Sequence, residues 1–116
     1  DLPPMETVGE KSGDVLVLGW GSPRGAITAG VTRLQQEGHK ISCAFLRHLN
    51  PLPNDLEALM RSFKKVVLPE LNSGQLAMML RAKYLIDVDS FSQVNGQPFQ
   101  SQAIEDYMRN VLQEVK

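Results

Sequence analysis

The sequence predicts an α/β fold, a three-layer α/β/α sandwich built on a mostly parallel sheet of four to five strands. Short apolar runs alternate with helical patterns along the chain, as in successive βαβ units. The apolar residues of the run 15–18 are consecutive, which is typical of a strand covered on both faces. Residues 66–85 show the unit most clearly, with a β-branched run, a polar turn and a strongly apolar helix.

The first predicted strand, residues 14–18, leads through a glycine-containing turn into a helix over residues 23–37. Gly38 suits the left-handed position just after a helix end. The next strand is predicted over residues 41–46.

A second helix is predicted from apolar residues spaced at i, i+3, i+4 and i+7, with Asn54 and Glu57 as a capping pair at its start. The apolar positions are Leu56, Leu59, Met60 and Phe63.

The third strand, residues 66–68, precedes a helix that starts near Asn72 or Ser73. This helix is poor in charge nearly all round, which favours burial against a subunit or another domain as well as its own sheet. We interpret Met78, Met79 and Tyr84 as packing residues. In an alternative reading, a purely structural interaction domain, an apolar surface is exposed along the residues Leu76, Met79 and Leu80.

The end of the chain predicts an edge strand and a closing helix. Residues 86–89 alternate apolar and acidic, which indicates a half-exposed strand near an edge. Asn95-Gly96 predicts a turn, and residues 104–115 carry a clear amphipathic stripe. Ser101 is the candidate cap of this helix, and Glu105 is expected to favour its start.

The 116 residues suffice for one compact domain, expected over residues 14–116. Residues 1–13, with two prolines and two glycines, are expected to form a linker in which Met5–Val8 is a candidate short edge strand. Because the chain begins with Asp1, we expect an excised C-terminal piece, a processed product, or a chain that has lost a tag or initiator.

Composition limits the classes of partner. Twelve Lys and Arg against thirteen Asp and Glu give a net charge of −1, which offers little attraction to nucleic acid or an anionic membrane. The start lacks signal-peptide features and no apolar run spans a bilayer, so a cytoplasmic protein is expected. A single cysteine, Cys43, allows no internal disulfide and no thiolate cluster, and is expected to be a core residue.

Polar and glycine-rich turns follow the three buried strands. The carboxyl ends of parallel strands share one edge of a sheet, where ligands or partners bind. The candidate site residues are therefore Gly19, Gly21, Ser22, Arg24, Arg47, His48, Glu70, Asn72 and Gln75.

The three glycines Gly19, Gly21 and Gly25 follow the first strand as in a phosphate-binding loop. The dinucleotide fingerprint, however, requires glycine where Arg24 stands, and an acidic residue where the second strand ends in Phe45-Leu46-Arg47. A tight structural turn is the favoured interpretation. A stand-alone nucleotide- or anion-binding module that uses this turn is the alternative.

The other turn residues also have two readings. His48 has the chemistry of a general base or an anion ligand, but no second residue has metal-ligand spacing, which favours a structural or interface role and no metal site. Glu70 and Asn72 have groups that can hydrogen-bond a ligand. In the alternative, Asn72 caps the helix and Glu70 pairs with Arg47 or Arg24.

Three segments carry a resemblance to a known family: GWGS at 19–22, LRHLNPLP at 46–53, and VVLPELNSGQLAMMLRAKYL at 66–85. They resemble the C-terminal domain of the alpha subunit of 2-oxoacid:ferredoxin oxidoreductases, most of all the 2-oxoglutarate branch. The resemblance covers residues 14–99. Ser-Pro-Arg-Gly at 22–25 departs from the Ser-Thr-aromatic-Gly expected of the family.

This resemblance implies a domain similar to the transketolase C-terminal domain. It implies an enzyme that oxidatively decarboxylates 2-oxoglutarate on thiamine diphosphate and Mg, passes electrons through an iron–sulfur cluster to ferredoxin, and forms succinyl-CoA from coenzyme A. The implied partners are the N-terminal pyrimidine-binding domain and the beta subunit. Because the chain has no GDG motif followed by paired Asn, we expect no cofactor on it, no activity of the fragment alone, and a role in assembly with the turn residues at the interface.

Overall fold

A computed structural model describes residues 5–20, 24–47, 52–70, 75–92 and 101–115. The strands are β1 (Thr7–Val8), β2 (Gly13–Gly19), β3 (Ile41–Phe45), β4 (Phe63–Glu70) and β5 (Val88–Ser92). The helices are α1 (Arg24–Gln36), α2 (Leu56–Arg61), α3 (Gln75–Tyr84) and α4 (Ser101–Glu114). None of the described helices has the length and apolar character needed to cross a membrane.

The five strands form one sheet in the order β1-β3-β2-β4-β5. The strands β2 to β5 run parallel, and β1 pairs antiparallel with β3 at one edge. The predicted mostly parallel sheet is confirmed, and so is the short edge strand within Met5–Val8. β5 forms the other edge, as predicted, but it begins at Val88 and not at residue 86.

Each face of the sheet is covered by a pair of helices. The side chains of the central strand alternate between the two faces, so both faces present apolar residues to the helices. Leu16 and Leu18 belong to the apolar cluster beneath α2 and α3. Val15 and Val17 belong to the cluster beneath α1 and α4. All four side chains are fully buried, which explains the consecutive apolar run and confirms the three-layer sandwich.

The predicted second helix is shorter than its apolar spacing indicates. Phe63 is the first residue of β4, paired with Gly13 of β2, and not the last apolar position of α2. Pairing along the central strand therefore outweighs the continuing helical period. The predicted capping pair is also wrong: Asp55 takes the N-cap position without a capping bond, and its Oδ2 accepts a hydrogen bond from the Met5 N–H at 2.9 Å.

Residues 5–10 lie against the sheet through side chains of the domain. The Gln35 amide donates to Val8 O at 3.0 Å and to Ile41 O at 2.9 Å, so it bridges β1 and β3. The Ser42 hydroxyl donates to Glu10 O at 2.6 Å. These bonds join β1 and the residues that follow it to α1 and β3.

A charged network joins α1 to α4. Glu105 is only 4% exposed, and its carboxylate lies 3.1 Å from the Arg33 guanidinium and 2.7 Å from that of Arg109. Arg109 also donates to both oxygens of Glu37, at 2.6 and 2.5 Å, and holds the pKa of the Glu37 carboxyl below its usual range. Glu105 was expected to favour the start of α4, but it lies beyond the first turn of the helix and binds Arg33 and Arg109 instead.

α3 has one buried face and one exposed face. Leu76 and Leu80 pack on the sheet, which contradicts the reading in which they line an exposed surface. Tyr84 packs against the same core, as predicted. Met78 and Met79 are 65% and 39% exposed, so they do not pack within this domain, and their packing against a subunit or another domain stays a prediction.

The Tyr107 phenol gives the fold a pH dependence. Its ring stacks on Phe91 at 4.3 Å, its O–H donates to Asp89 Oδ2 at 3.0 Å, and burial together with this carboxylate raises its pKa to about 12. The unfolded phenol loses its proton near pH 10, so stability falls as pH rises from 10 to 12. In urea unfolding at a series of pH values, Tyr107→Phe is expected to flatten that fall. Parallel wild-type and variant curves above pH 10 would refute this assignment.

Candidate interface at the carboxyl edge of the sheet

The four parallel strands all end on one side of the sheet. Gly19, the last residue of β2, is in register with Phe45, the last residue of β3. Glu70 of β4 is in register with Ser92 of β5. We call the edge formed by these four residues the carboxyl edge. The ends of the three strands that precede the predicted turns therefore lie side by side.

Gly19 is closely packed. A Cβ atom at this position would lie 2.7 Å from Phe45 Cδ1 and 3.1 Å from Ile27 Cδ1, closer than atoms in contact normally approach. The Gly19 carbonyl also accepts the Leu46 N–H at 2.8 Å, which extends the pairing of β2 and β3 by one residue. This close packing gives a structural reason for glycine at position 19.

Arg24, the first residue of α1, places a positive charge over the carboxyl edge. Its guanidinium carbon lies 4.4 Å from the centroid of the Phe45 ring, within the range of a cation–π interaction. Arg24 is exposed and Phe45 half-buried, so the stacked pair fixes the cation and leaves it open to solvent.

Arg47 carries a second cation just beyond β3. Its Nη2 lies 3.8 Å from the Glu6 carboxylate, and the two side chains are 64% and 82% exposed. Such an exposed pair contributes little to stability, roughly 0 to 1 kcal/mol, so its partner is easily exchanged. Arg47 is therefore paired within the chain and still accessible at the surface.

Cys43 lies two residues before the end of β3 and is fully buried, as predicted for a core residue. Burial raises the pKa of its thiol to about 11, and the hydrogen bond with Thr28 and the charge of Arg24 lower it by less. The thiolate is the reactive form of cysteine, so this thiol is chemically inert at neutral pH.

The predicted site residues divide into three groups. Gly19 and Arg24 meet at Phe45, and Arg47 follows shortly after it. Glu70 and Gln75 are placed by their backbone alone, at the end of β4 and the start of α3. The others lie outside the described residues: Gly21, Ser22, His48 and Asn72.

Phe45 is the residue that sequence reasoning missed. It is the platform for Arg24 and the contact that excludes a side chain at position 19. An aromatic residue at the end of the second strand is the signal that points to it, because a strand-end ring lies beside the turn of the neighbouring strand.

No protein-family model matches the chain. The chain is 43% identical over 113 residues to 2-oxoglutarate oxidoreductase subunit KorA of Mycobacterium tuberculosis, a match that covers 96% of this chain. The chain is homologous to the C-terminal part of the alpha subunits of 2-oxoacid:ferredoxin oxidoreductases. It spans 17% of the length of that relative.

Solved structures agree with this homology. The 2-oxoglutarate:ferredoxin oxidoreductase from Magnetococcus marinus, with 2-oxoglutarate, coenzyme A and succinyl-CoA bound, matches with a TM-score of 0.87 and 32% identity over 96% of this chain and 20% of that one. A split-gene transketolase in an inactive tetramer matches with a TM-score of 0.69 and 19% identity over 96% of this chain and 42% of that one. This chain therefore has the predicted transketolase-like fold.

Proposed function

We propose that the chain is a non-catalytic C-terminal domain of the alpha subunit of a 2-oxoglutarate:ferredoxin oxidoreductase that depends on thiamine diphosphate. In this proposal the whole enzyme oxidatively decarboxylates 2-oxoglutarate, forms succinyl-CoA and reduces ferredoxin. The partners are the beta subunit and the N-terminal pyrimidine-binding domain. The domain contributes assembly and positioning of the active site, and the isolated fragment has no activity.

The homology supports the identity in this proposal, and the carboxyl edge supports the role in assembly. This edge presents two accessible cations on a closely packed base: Arg24 is held by the Phe45 ring and Arg47 by a weak pair with Glu6. Such groups suit contact with neighbouring protein, where guanidinium side chains bind carboxylates and carbonyls. A displacement of about 1 Å in a site shared between domains can slow a reaction about 100-fold. A rigid contact through Arg24 and Arg47, which we call the clamp, would therefore affect the rate without touching substrate.

The sequence has no GDG motif followed by paired Asn, the pattern expected at the diphosphate end of thiamine diphosphate. Mg²⁺ is held by carboxylate and carbonyl oxygens. Across the described ranges, no three His, Cys, Asp or Glu side chains lie together in a way that could hold a metal ion. The proposal therefore places thiamine diphosphate, Mg²⁺ and the iron–sulfur cluster on other parts of the enzyme and assigns no chemical step to this chain.

Replacement of Arg24 in the assembled enzyme tests the clamp. Arg24→Ala is expected to lower kcat for coenzyme A-dependent oxidation of 2-oxoglutarate by about tenfold and to leave KM within about twofold, because positioning is lost but no substrate contact. Lys40→Ala, a change of an exposed cation at the opposite edge of the sheet, is the matched control and leaves both constants unchanged. A tenfold rise in KM at constant kcat would show substrate contact, and unchanged kinetics would remove the clamp.

The alternative, a stand-alone nucleotide- or anion-binding module, is not favoured by the homology. It would be supported by a thermal shift with phosphate compounds that disappears in Gly21→Val. Likewise, calorimetric titration that shows tight binding of thiamine diphosphate to this chain alone would overturn the assignment of the cofactor to other parts of the enzyme.

A further inference from the structure

All the large apolar side chains that are exposed in the described part of the chain lie on one helix or directly after it. They are Met78, Met79 and Leu85, on α3 and directly after it, at 65%, 39% and 86% exposure. Ala82 is exposed as well and, at four residues from Met78, lies roughly 40° from it around the helix. We call Met78, Met79, Ala82 and Leu85 the outer stripe. Single exposed apolar residues are ordinary, but a contiguous group marks an interaction surface.

Leu85 is held outward by the backbone. Its φ of 57° lies in the left-handed region, which is unfavourable for a branched side chain. Its N–H donates to Arg81 O at 2.8 Å, and the Arg81 guanidinium donates to Val88 O. These bonds fix the chain between α3 and β5, so the fold maintains an exposed leucine in a strained conformation.

Charge determines the kind of partner. α3 carries Arg81 and Lys83 but no acidic residue. By helical spacing the two basic residues lie on opposite sides of the Met78 and Met79 pair. A second copy of this helix would bring like charges together, which costs binding energy, whereas acidic residues on both sides of an apolar segment would complement the outer stripe.

We propose that the outer stripe docks an apolar segment flanked by Asp or Glu from another polypeptide of the oxidoreductase assembly. The existence of that assembly is taken from the proposed function. Methionine suits such a surface because its unbranched side chain adapts to the shape of a partner. The docking surface lies on the outer layer of the sandwich, separate from the carboxyl edge.

The test uses the whole protein purified with its accompanying subunits. Met78→Glu is expected to weaken subunit association by about 100-fold, because burial is lost and like charges meet, whereas Met78→Lys weakens it by only about tenfold. Gln113→Glu and Gln113→Lys, at an exposed position of α4, are the charge-matched controls and are expected to have no effect. Native mass spectrometry over a dilution series measures the dissociation.

A carbodiimide cross-link identifies the partner independently of these variants. Lys83 is expected to link to an Asp or Glu of another polypeptide, and Lys83→Gln removes the link. A link to a second copy, or to another part of the same polypeptide with subunit affinity unchanged in Met78→Glu, would overturn the inference. If Arg24→Ala slows the enzyme while Met78→Glu assembles normally, the docking inference fails and the proposed function stands.

Discussion

Gly19→Val is expected to destabilise the protein by about 3 kcal/mol, the upper end of the range for overpacking. A Cβ at this position would already lie 2.7 Å from Phe45 Cδ1, and valine adds two methyl groups to that contact. The Phe45 ring must move, and the Arg24 guanidinium loses its platform. The variant is therefore expected to lower the urea midpoint of the protein and, in the proposed oxidoreductase, the activity of the assembly.

Gly25→Ala is the matched control for this substitution. A Cβ at Gly25 would meet nothing within 4 Å, and the residue lies within α1. Alanine is favoured over glycine in a helix, and because Gly25 lies in the first turn of α1, a gain of up to about 0.5 kcal/mol is expected. If Gly19→Val unfolds at the wild-type urea concentration, Phe45 moves aside freely and the carboxyl edge is not a rigid base.

Glu105→Ala is expected to lower the free energy of unfolding by about 2 kcal/mol. The carboxylate is buried and bound by Arg33 and Arg109 across the α1–α4 contact, and hydrogen bonds to charged groups contribute about 1.5 to 3 kcal/mol each. The loss is smaller than for a fully buried pair because both arginines are partly exposed and Arg109 keeps Glu37. Urea unfolding at neutral pH gives the difference.

Asp106→Ala provides the comparison on the same helix. Asp106 is exposed and accepts one hydrogen bond, at 2.9 Å from Gln102, so its loss is expected to change stability by less than about 0.5 kcal/mol. Equal effects of the two substitutions would mean that the buried carboxylate does not join α1 to α4.

The sequence predicted the fold from signals that are local and strong. The consecutive apolar residues 15–18 identified a central strand, and Gly38 identified the end of α1, where it adopts a φ of 96°. It failed where a tertiary contact competes with a local period. Phe63 continues the apolar spacing of α2 but pairs in β4, and the Asp55 carboxylate binds the Met5 backbone instead of capping its helix.

The candidate site was predictable only in outline. Strand topology places Gly19 and Glu70 at one edge of the sheet, and this follows from the βαβ pattern. The contact between Arg24 and Phe45 does not, because it depends on the register of β2 and β3 and on where α1 begins. The sequence predicted an apolar outer face on α3. Whether this domain itself covers Met78 could not be predicted, since an apolar helix has the same composition in both cases.

A structure of the assembled oxidoreductase is the most direct test of the proposed clamp. It is expected to show the Arg24 and Arg47 guanidinium groups within hydrogen-bond distance of acceptors on the beta subunit or the pyrimidine-binding domain, with no atom of this chain touching thiamine diphosphate. A carboxyl edge that faces solvent, or one whose side chains bind 2-oxoglutarate or the cofactor, would contradict the account.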